Sequence, residues 1–135
     1  MKLWKKIVLT GFATLATLAA HAGTPETTPS GLIYESLRDG TGKQPTPEAS
    51  VQVNYRGTLA DGKEFDSSYK RGEPATFPLN RVIPCWTEGV AKMKEGGKAK
   101  LTCPPAIAYG SRGAGSAVPP NATLTFEVEL LKVMR

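Results

Sequence analysis

The sequence predicts an α+β domain in which an antiparallel β-sheet wraps around one short α-helix. Three segments alternate apolar and polar residues, which is the pattern of half-buried strands. A fourth segment has apolar residues at helical spacing. Because strands with one apolar face need that face covered, we expect the helix to lie against the sheet.

The predicted strands are defined by their inward-facing positions. In the first strand these positions are Val51, Val53, Tyr55 and Leu59, and Asp61-Gly62 then predicts a hairpin turn with residues 64–67 as the returning strand. The inward positions of the two later strands are Ala99, Leu101 and Cys103, followed by Leu124, Phe126, Val128 and Leu130. The alternation slips at Leu131, which indicates a bulge or a strand end.

Only one segment has the spacing of a helix. Pro84 suits the first helical position, where its missing N–H costs nothing. Trp86, Val90 and Met93 follow at i, i+4 and i+7 on one face. We expect this helix to stop near Gly96-Gly97.

The N-terminal residues 1–22 have the features of a secretory signal peptide. Three lysines precede an apolar run that ends in the small-x-small sequence Ala20-His21-Ala22. The run is too short and too rich in threonine and glycine for a membrane anchor. We therefore expect cleavage near Ala22 and a periplasmic or secreted protein without a membrane anchor. Residues 23–30 then form a flexible lead-in and residues 31–135 a single folded domain.

Composition excludes several classes of function. The only histidine, His21, is lost with the signal, so neither a Ser-His-Asp nor a Cys-His nucleophile is available. A zinc site with histidine ligands is excluded for the same reason. We predict no metal and no cofactor. Removing three signal lysines lowers the net charge from +5 to +2, and the remaining basic residues are scattered. Binding to nucleic acid or to a membrane surface therefore loses its support.

Cys85 and Cys103 are the only cysteines, and an even number in an exported chain favours a disulfide. The alternative is a pair of buried thiols. Their spacing is not that of a CxxC motif, which argues against dithiol exchange. A redox protein would require both cysteines to be exposed and reducible.

Five motifs occur in order along the chain. They are Val53-Asn54-Tyr55-Arg56-Gly57, Asp61-Gly62-Lys63-Glu64-Phe65-Asp66-Ser67-Ser68, Val82-Ile83-Pro84-Cys85-Trp86, Ala108-Tyr109-Gly110 and Val118-Pro119-Pro120-Asn121-Ala122-Thr123-Leu124. Together they resemble the motifs of the FKBP-type peptidyl-prolyl cis–trans isomerases, in their exported bacterial single-domain form. The resemblance extends from about Ile33 to Val133 and implies an FKBP-like fold.

The resemblance also implies a site. Its catalytic residues would be Tyr109, Asp66 and Trp86, and its substrate-binding residues Tyr55, Phe65, Arg71, Phe77, Val82, Ile83, Val118 and Phe126. In this scheme Trp86 is the floor under a proline ring, while Ile83 N–H and the Tyr109 hydroxyl bind the peptide. Asp66 orders a polar rim near Arg71.

Each of these residues also has a purely structural interpretation. Trp86, Tyr55 and Phe126 could simply fill the core, and Asp66 before two serines could be a turn or cap residue. Tyr109 lies in a predicted loop, where an aromatic side chain favours a binding role. The chain departs from the family pattern at Ala75, Arg81, Ala106 and Ala114. These departures bear on substrate preference and on inhibitor affinity.

The implied function is acceleration of X–Pro bond rotation in folding polypeptides, without a covalent intermediate. An apolar pocket would destabilise the planar, charge-separated amide relative to the twisted one. The alternative is a chaperone-like module that binds proline-containing segments without significant turnover. The expected partners are proline-containing polypeptide clients and, by resemblance, macrolide-type inhibitors of the pocket. We expect a monomer.

Overall fold

The computed structural model describes residues 23–134, so the predicted signal peptide lies outside the described residues. Within that range the strands are β1 (Glu26–Thr27), β2 (Ile33–Arg38), β3 (Ser50–Leu59), β4 (Glu64–Ser67), β5 (Ala75–Pro78), β6 (Lys98–Cys103) and β7 (Leu124–Val133). The helices are α1 (Ser68–Arg71) and α2 (Pro84–Val90), with 3-10 turns at Leu79–Arg81 and Pro105–Ile107.

All seven strands of the described part belong to one antiparallel sheet, ordered β1-β2-β6-β7-β3-β4. Strand β5 pairs with β3 as well, over residues 50–53, whereas β4 pairs with β3 over residues 56–58. The two short strands therefore share one edge of β3, and helix α1 joins them. This arrangement, with α2 packed on the sheet, confirms the predicted fold class.

The period-two prediction holds for the three strands at the centre of the sheet. Residues 51–57 of β3 alternate between buried and more exposed positions, as do β6 and β7. The predicted irregularity at Leu131 is a bulge, because Gln52 pairs with Lys132 and Val53 with Leu130. The extra residue shifts the alternation by one position, so that the buried residues are even-numbered up to Leu130 and the next buried residue is Val133.

Helix α2 packs closely on the sheet through its glycine. A Cβ atom on Gly89 would lie 2.9 Å from both methyl carbons of Leu101 on β6. Glycine therefore allows the helix backbone to approach the strand, and Trp86 and Val90 are buried on the same side. The position of Trp86 follows from this packing.

One prediction about helices is wrong, and one short helix was missed. Helix α2 ends at Val90, because Lys92 N–H and Met93 N–H donate to the carbonyls three residues earlier and tighten the chain into turns. Met93 is still buried, which explains why the apolar spacing continues past the helix. Helix α1 was not predicted, since four residues capped by Ser67 are too few to show a period.

The tract 23–30, expected to be a flexible lead-in, contains strand β1. Gly31 has φ +95°, a conformation that glycine adopts readily, and its N–H donates to the Thr28 carbonyl at 2.9 Å. The resulting turn brings Glu26 opposite Tyr34 on β2. Local composition alone does not reveal this pairing.

A disulfide joins Cys85 at the start of α2 to Cys103 at the end of β6, with a Cα–Cα distance of 5.8 Å. Both cysteines are 0% exposed. The structure therefore contains the bond that the cysteine count favours. Among residues 23–134, no helix has the length and apolar character needed to cross a membrane.

Candidate functional site

A cavity of about 470 Å³ opens between helix α2, the sheet and the loop after β6. Its lining consists of Tyr55, Phe65, Asp66, Phe77, Arg81, Val82, Ile83, Trp86, Tyr109 and Phe126. Six of these ten residues are aromatic, and only Asp66 and Arg81 are charged. The cavity is therefore apolar with a sparse polar rim.

Trp86 lies at the base of the cavity and is only 4% exposed. Its ring centroid is 5.1 Å from that of Tyr55 and 5.4 Å from those of Phe77 and Phe126, each at an interplanar angle of 86°. Such edge-to-face packing is the preferred geometry of aromatic pairs and fixes the indole in place. The indole N–H has no hydrogen-bond partner within residues 23–134.

Phe65 and Phe126 form the adjoining wall, with ring centroids 5.6 Å apart. Gly57 on β3 makes room for both rings. A Cβ atom there would lie 2.7 Å from Phe65 Cζ and 2.9 Å from Phe126 Cε1. The sequence motif contained Gly57, but its role in shaping the wall becomes visible only when the two rings are placed beside it.

The polar rim is a closed set of hydrogen bonds around Asp66. The Tyr55 hydroxyl donates to Asp66 Oδ2 at 2.6 Å, and Arg71 Nη1 donates to Asp66 Oδ1 at 2.7 Å. Arg71 Nη2 also donates to the Tyr55 oxygen at 2.9 Å, and Ser67 N–H donates to Asp66 Oδ1 at 2.9 Å. These bonds hold the Tyr55 ring against Trp86.

The same contacts set the protonation states of the rim. Burial would raise the pKa of Asp66, but the hydrogen bonds from Tyr55 and Arg71 outweigh it and hold that pKa below its ordinary value. Burial and the Asp66 carboxylate raise the pKa of Tyr55. At neutral pH Asp66 is therefore an ionised acceptor and Tyr55 a neutral donor.

Two uncharged donors at the cavity are available to a ligand. Ile83 precedes α2, and its N–H donates to no acceptor within residues 23–134. The second donor is the hydroxyl of Tyr109. This residue follows the 3-10 turn at Pro105–Ile107 and is 40% exposed. Its backbone is fixed, since Gly113 N–H donates to its carbonyl at 3.1 Å.

The structure brings nine of the eleven predicted site residues into the cavity lining. Arg71 is outside the lining and acts on it through Asp66 and Tyr55. Val118 is also outside: its side chain is 2% exposed, and its backbone pairs with Ala114 within the loop after β6. Val118 therefore packs in the core under that loop, whereas the family resemblance had implied contact with the ligand.

Arg81 lines the cavity but was not among the predicted site residues. The sequence showed it only as a change of charge before Val82. It ends the 3-10 turn at Leu79–Arg81, and this turn, unpredicted by any period, places it on the rim.

Comparisons with known proteins agree on one family. A family model described as FKBP-type peptidyl-prolyl cis-trans isomerase matches residues 41–131. The chain is 54% identical over 108 residues to the FKBP-type peptidyl-prolyl cis-trans isomerase FkpA of Escherichia coli K12, which covers 80% of this chain and 40% of the relative. It is 51% identical over 105 residues to the FK506-binding protein of Neisseria meningitidis, covering 76% of this chain and 96% of that protein.

The fold agrees with solved structures as well. The crystal structure of FkpA from Escherichia coli superposes with a TM-score of 0.78 at 53% identity, covering 81% of this chain and 51% of that one. The chain thus spans about 40% of the length of the first curated relatives it matches.

Proposed function

The chain belongs to the FKBP-type peptidyl-prolyl cis–trans isomerase family, and from that premise we propose that it accelerates X–Pro bond rotation in folding polypeptides. The observation that supports this proposal is the cavity above Trp86, which combines an apolar aromatic base with two hydrogen-bond donors at its edge. This arrangement suits a reaction that breaks no covalent bond.

The barrier to rotation arises from resonance in the amide. It is about 18–20 kcal/mol, and uncatalysed X–Pro exchange takes about 10–100 s. Water stabilises the planar amide because that form has separated charge. When a proline ring rests on Trp86, between Tyr55 and Phe126, its amide exchanges contact with water for contact with aromatic surface. The planar form of the amide then loses the stabilisation by water. The twisted amide has less charge separation and loses less.

Positioning adds to this effect. The Ile83 N–H and the Tyr109 hydroxyl hold the peptide while the carbonyl before proline swings, which lowers the entropic part of the barrier. Asp66 fixes the Tyr55 wall through the hydrogen bond of 2.6 Å. In this mechanism Asp66 stays ionised throughout and transfers no proton.

The discriminating experiment compares turnover with binding. We expect the parent protein to accelerate the refolding of a substrate whose rate is limited by proline isomerisation. Tyr109→Phe should lower kcat/KM by about twofold to tenfold, the effect of one lost hydrogen bond of about 0.5–1.5 kcal/mol. Its thermal midpoint should stay unchanged, because the hydroxyl belongs to an exposed side chain. Binding of a proline peptide without acceleration would instead favour a chaperone-like binding module.

The cellular setting is part of the proposal. The signal-like features of residues 1–22 and the Cys85–Cys103 disulfide support an exported, oxidising location. N-terminal sequencing of the exported protein should give a new terminus near Gly23. We further propose a monomer that binds macrolide-type inhibitors in the cavity, in keeping with the name of the Neisseria relative. Sedimentation and FK506 titration test these two points.

A further inference from the structure

The cavity lining contains two charged residues, and their surroundings differ. The Asp66 carboxylate has an ion pair with Arg71 at 2.7 Å and accepts two more hydrogen bonds, from Tyr55 and Ser67. Its charge is therefore balanced within the fold. This side of the rim therefore exerts little net electrostatic field on a ligand in the cavity.

The charge of Arg81 is not balanced by a carboxylate among residues 23–134. Its side chain is exposed, and within residues 23–134 it has neither an ion pair nor a hydrogen bond. In contrast, Arg38, Arg56 and Arg71 each pair with a carboxylate at 2.7–3.0 Å. The uncompensated charge at the edge of the cavity is thus the guanidinium of Arg81.

The position of Arg81 relates this charge to the bound peptide. It directly precedes Val82 and Ile83, which line the same cavity, and the Ile83 N–H is the donor proposed to bind the peptide backbone. A residue next to the proline that rests on Trp86 therefore passes the cavity edge where Arg81 lies. Because the guanidinium is always charged and offers several donors, it can bind a carboxylate there.

We infer, building on the proposed isomerase function, that Arg81 is a specificity-determining residue which favours client segments with an acidic residue beside the proline. An exposed pair of this kind contributes modestly, so the preference in kcat/KM should be about twofold to fivefold. It should shrink in concentrated salt, since the screening length falls to about 3 Å at 1 M ionic strength.

The test uses matched peptides that differ only in the residue before proline, with Glu, Gln or Lys at that position. The readout is the ratio of kcat/KM for the Glu peptide to that for the Gln peptide. We expect a ratio of about two to five in the parent, near one in Arg81→Gln, and below one in Arg81→Glu. The ratio of kcat/KM for the Lys peptide to that for the Gln peptide should be below one in the parent, near one in Arg81→Gln and above one in Arg81→Glu.

The matched control is Lys63→Gln, which removes the same charge from an exposed turn residue outside the cavity lining. This variant should keep the parent ratio. A parent ratio near one, or a ratio that Arg81→Gln leaves unchanged, overturns the inference. If the peptides are turned over without any charge preference, the inference about Arg81 is refuted and the isomerase function stands.

Absence of turnover for every peptide would overturn the proposed function, and calorimetric binding of the same peptides then decides the charge preference. Tighter binding of the Glu peptide by the parent, lost in Arg81→Gln, supports the role of Arg81. Equal binding of all three peptides contradicts it.

Discussion

At the residue scale, Asp66 links the electrostatics of the site to its shape. Its two oxygens accept hydrogen bonds from three residues, Tyr55, Ser67 and Arg71. The Arg71 guanidinium also lies 5.7 Å from the centroid of the Tyr55 ring. A change in the charge of Asp66 therefore alters the wall that packs against Trp86, even though Asp66 has no part in covalent chemistry.

The lowered pKa of Asp66 gives its contribution a definite pH dependence. Because the folded pKa lies below the unfolded one, the stabilisation is fully present above the unfolded value and is lost as pH falls through the folded value. Asp66→Asn should therefore lower the free energy of unfolding at neutral pH, and the gap between variant and parent should narrow on acidification. Urea unfolding between about pH 3 and pH 7 measures this gap.

The control for that measurement is Glu48→Gln, which changes an exposed carboxylate without a hydrogen bond or ion pair among residues 23–134. Its difference from the parent should stay small over the same range. A constant gap between Asp66→Asn and the parent down to the lowest pH would contradict the assignment. Activity of the parent should vary little around neutral pH, because Asp66 and Tyr55 do not change their charge there.

Gly57 illustrates how a residue without a side chain shapes the cavity. In Gly57→Ala the added Cβ would meet the rings of Phe65 and Phe126 at 2.7–2.9 Å. Overpacking of this kind costs about 1–3 kcal/mol of unfolding free energy. We expect a loss of that size by urea unfolding, together with reduced kcat/KM because the aromatic wall moves.

Gly62→Ala provides the comparison for Gly57→Ala. Gly62 has φ +88° with open space around it, so alanine there strains the backbone but leaves the cavity untouched. This variant should lose stability and keep its kcat/KM at a temperature where both proteins are folded. If Gly57→Ala also kept full activity, its role in positioning the rings would be refuted.

At the scale of elements, the disulfide joins the two segments that supply the base and one edge of the site. Cys85 precedes Trp86 on α2, and Cys103 ends the strand that leads to Tyr109. The bond closes a short loop, since the cysteines are 18 residues apart. Because both cysteines are fully buried, the bond is expected to resist mild reductants, which argues against a redox function.

Removing the disulfide should affect stability more than catalysis. For Cys85→Ala/Cys103→Ala we expect a loss of about 3 kcal/mol in the free energy of unfolding, the value expected for a loop of this length. Below the unfolding transition kcat/KM should change less than twofold, because three aromatic rings still hold Trp86. Urea unfolding and the refolding assay measure the two quantities. A large loss of activity in fully folded protein would show that the bond positions Trp86.

At the scale of the whole molecule, Glu95 ties together segments that are distant in sequence. Its Oε2 accepts from Val133 N–H at 2.7 Å and its Oε1 from Lys43 N–H at 3.3 Å. Its carbonyl accepts from Thr41 N–H and Gly42 N–H at 3.1 Å. Glu95 therefore fixes the end of β7 to the loop after β2, at a place that does not line the cavity.

Glu95→Gln should lower the thermal midpoint at neutral pH and leave kcat/KM unchanged. The hydrogen bonds from Val133 and Lys43 hold the pKa of Glu95 below its ordinary value, so its stabilisation is present above the unfolded pKa and fades as pH falls through the folded one. The midpoints of variant and parent should therefore converge in acid, as scanning calorimetry would show. Midpoints equal already at neutral pH would contradict this role.

Much of this architecture was predictable because it depends on neighbours in sequence. Alternation at Val51, Val53 and Tyr55 predicted β3, Asp61-Gly62 predicted the hairpin, and Pro84 marked the start of α2. The bulge at Leu131 was visible as a slip in phase. Each of these signals arises from the spacing of side chains along one element, so it is present before the chain folds. The absence of histidine after residue 21 likewise needed no structure.

Other features were decided only when distant segments packed together. No local period specifies that β5 pairs with the same strand as β4, or that residues 26–27 pair with β2. The closed contacts of Asp66 with Tyr55 and Arg71, and the unbalanced charge of Arg81, depend on where turns place long side chains. The elements and the chemistry available to them follow from local spacing and residue type, so both could be predicted before the chain was seen folded. The tertiary structure decided which side chains meet around Trp86, because that depends on packing between elements far apart in the chain.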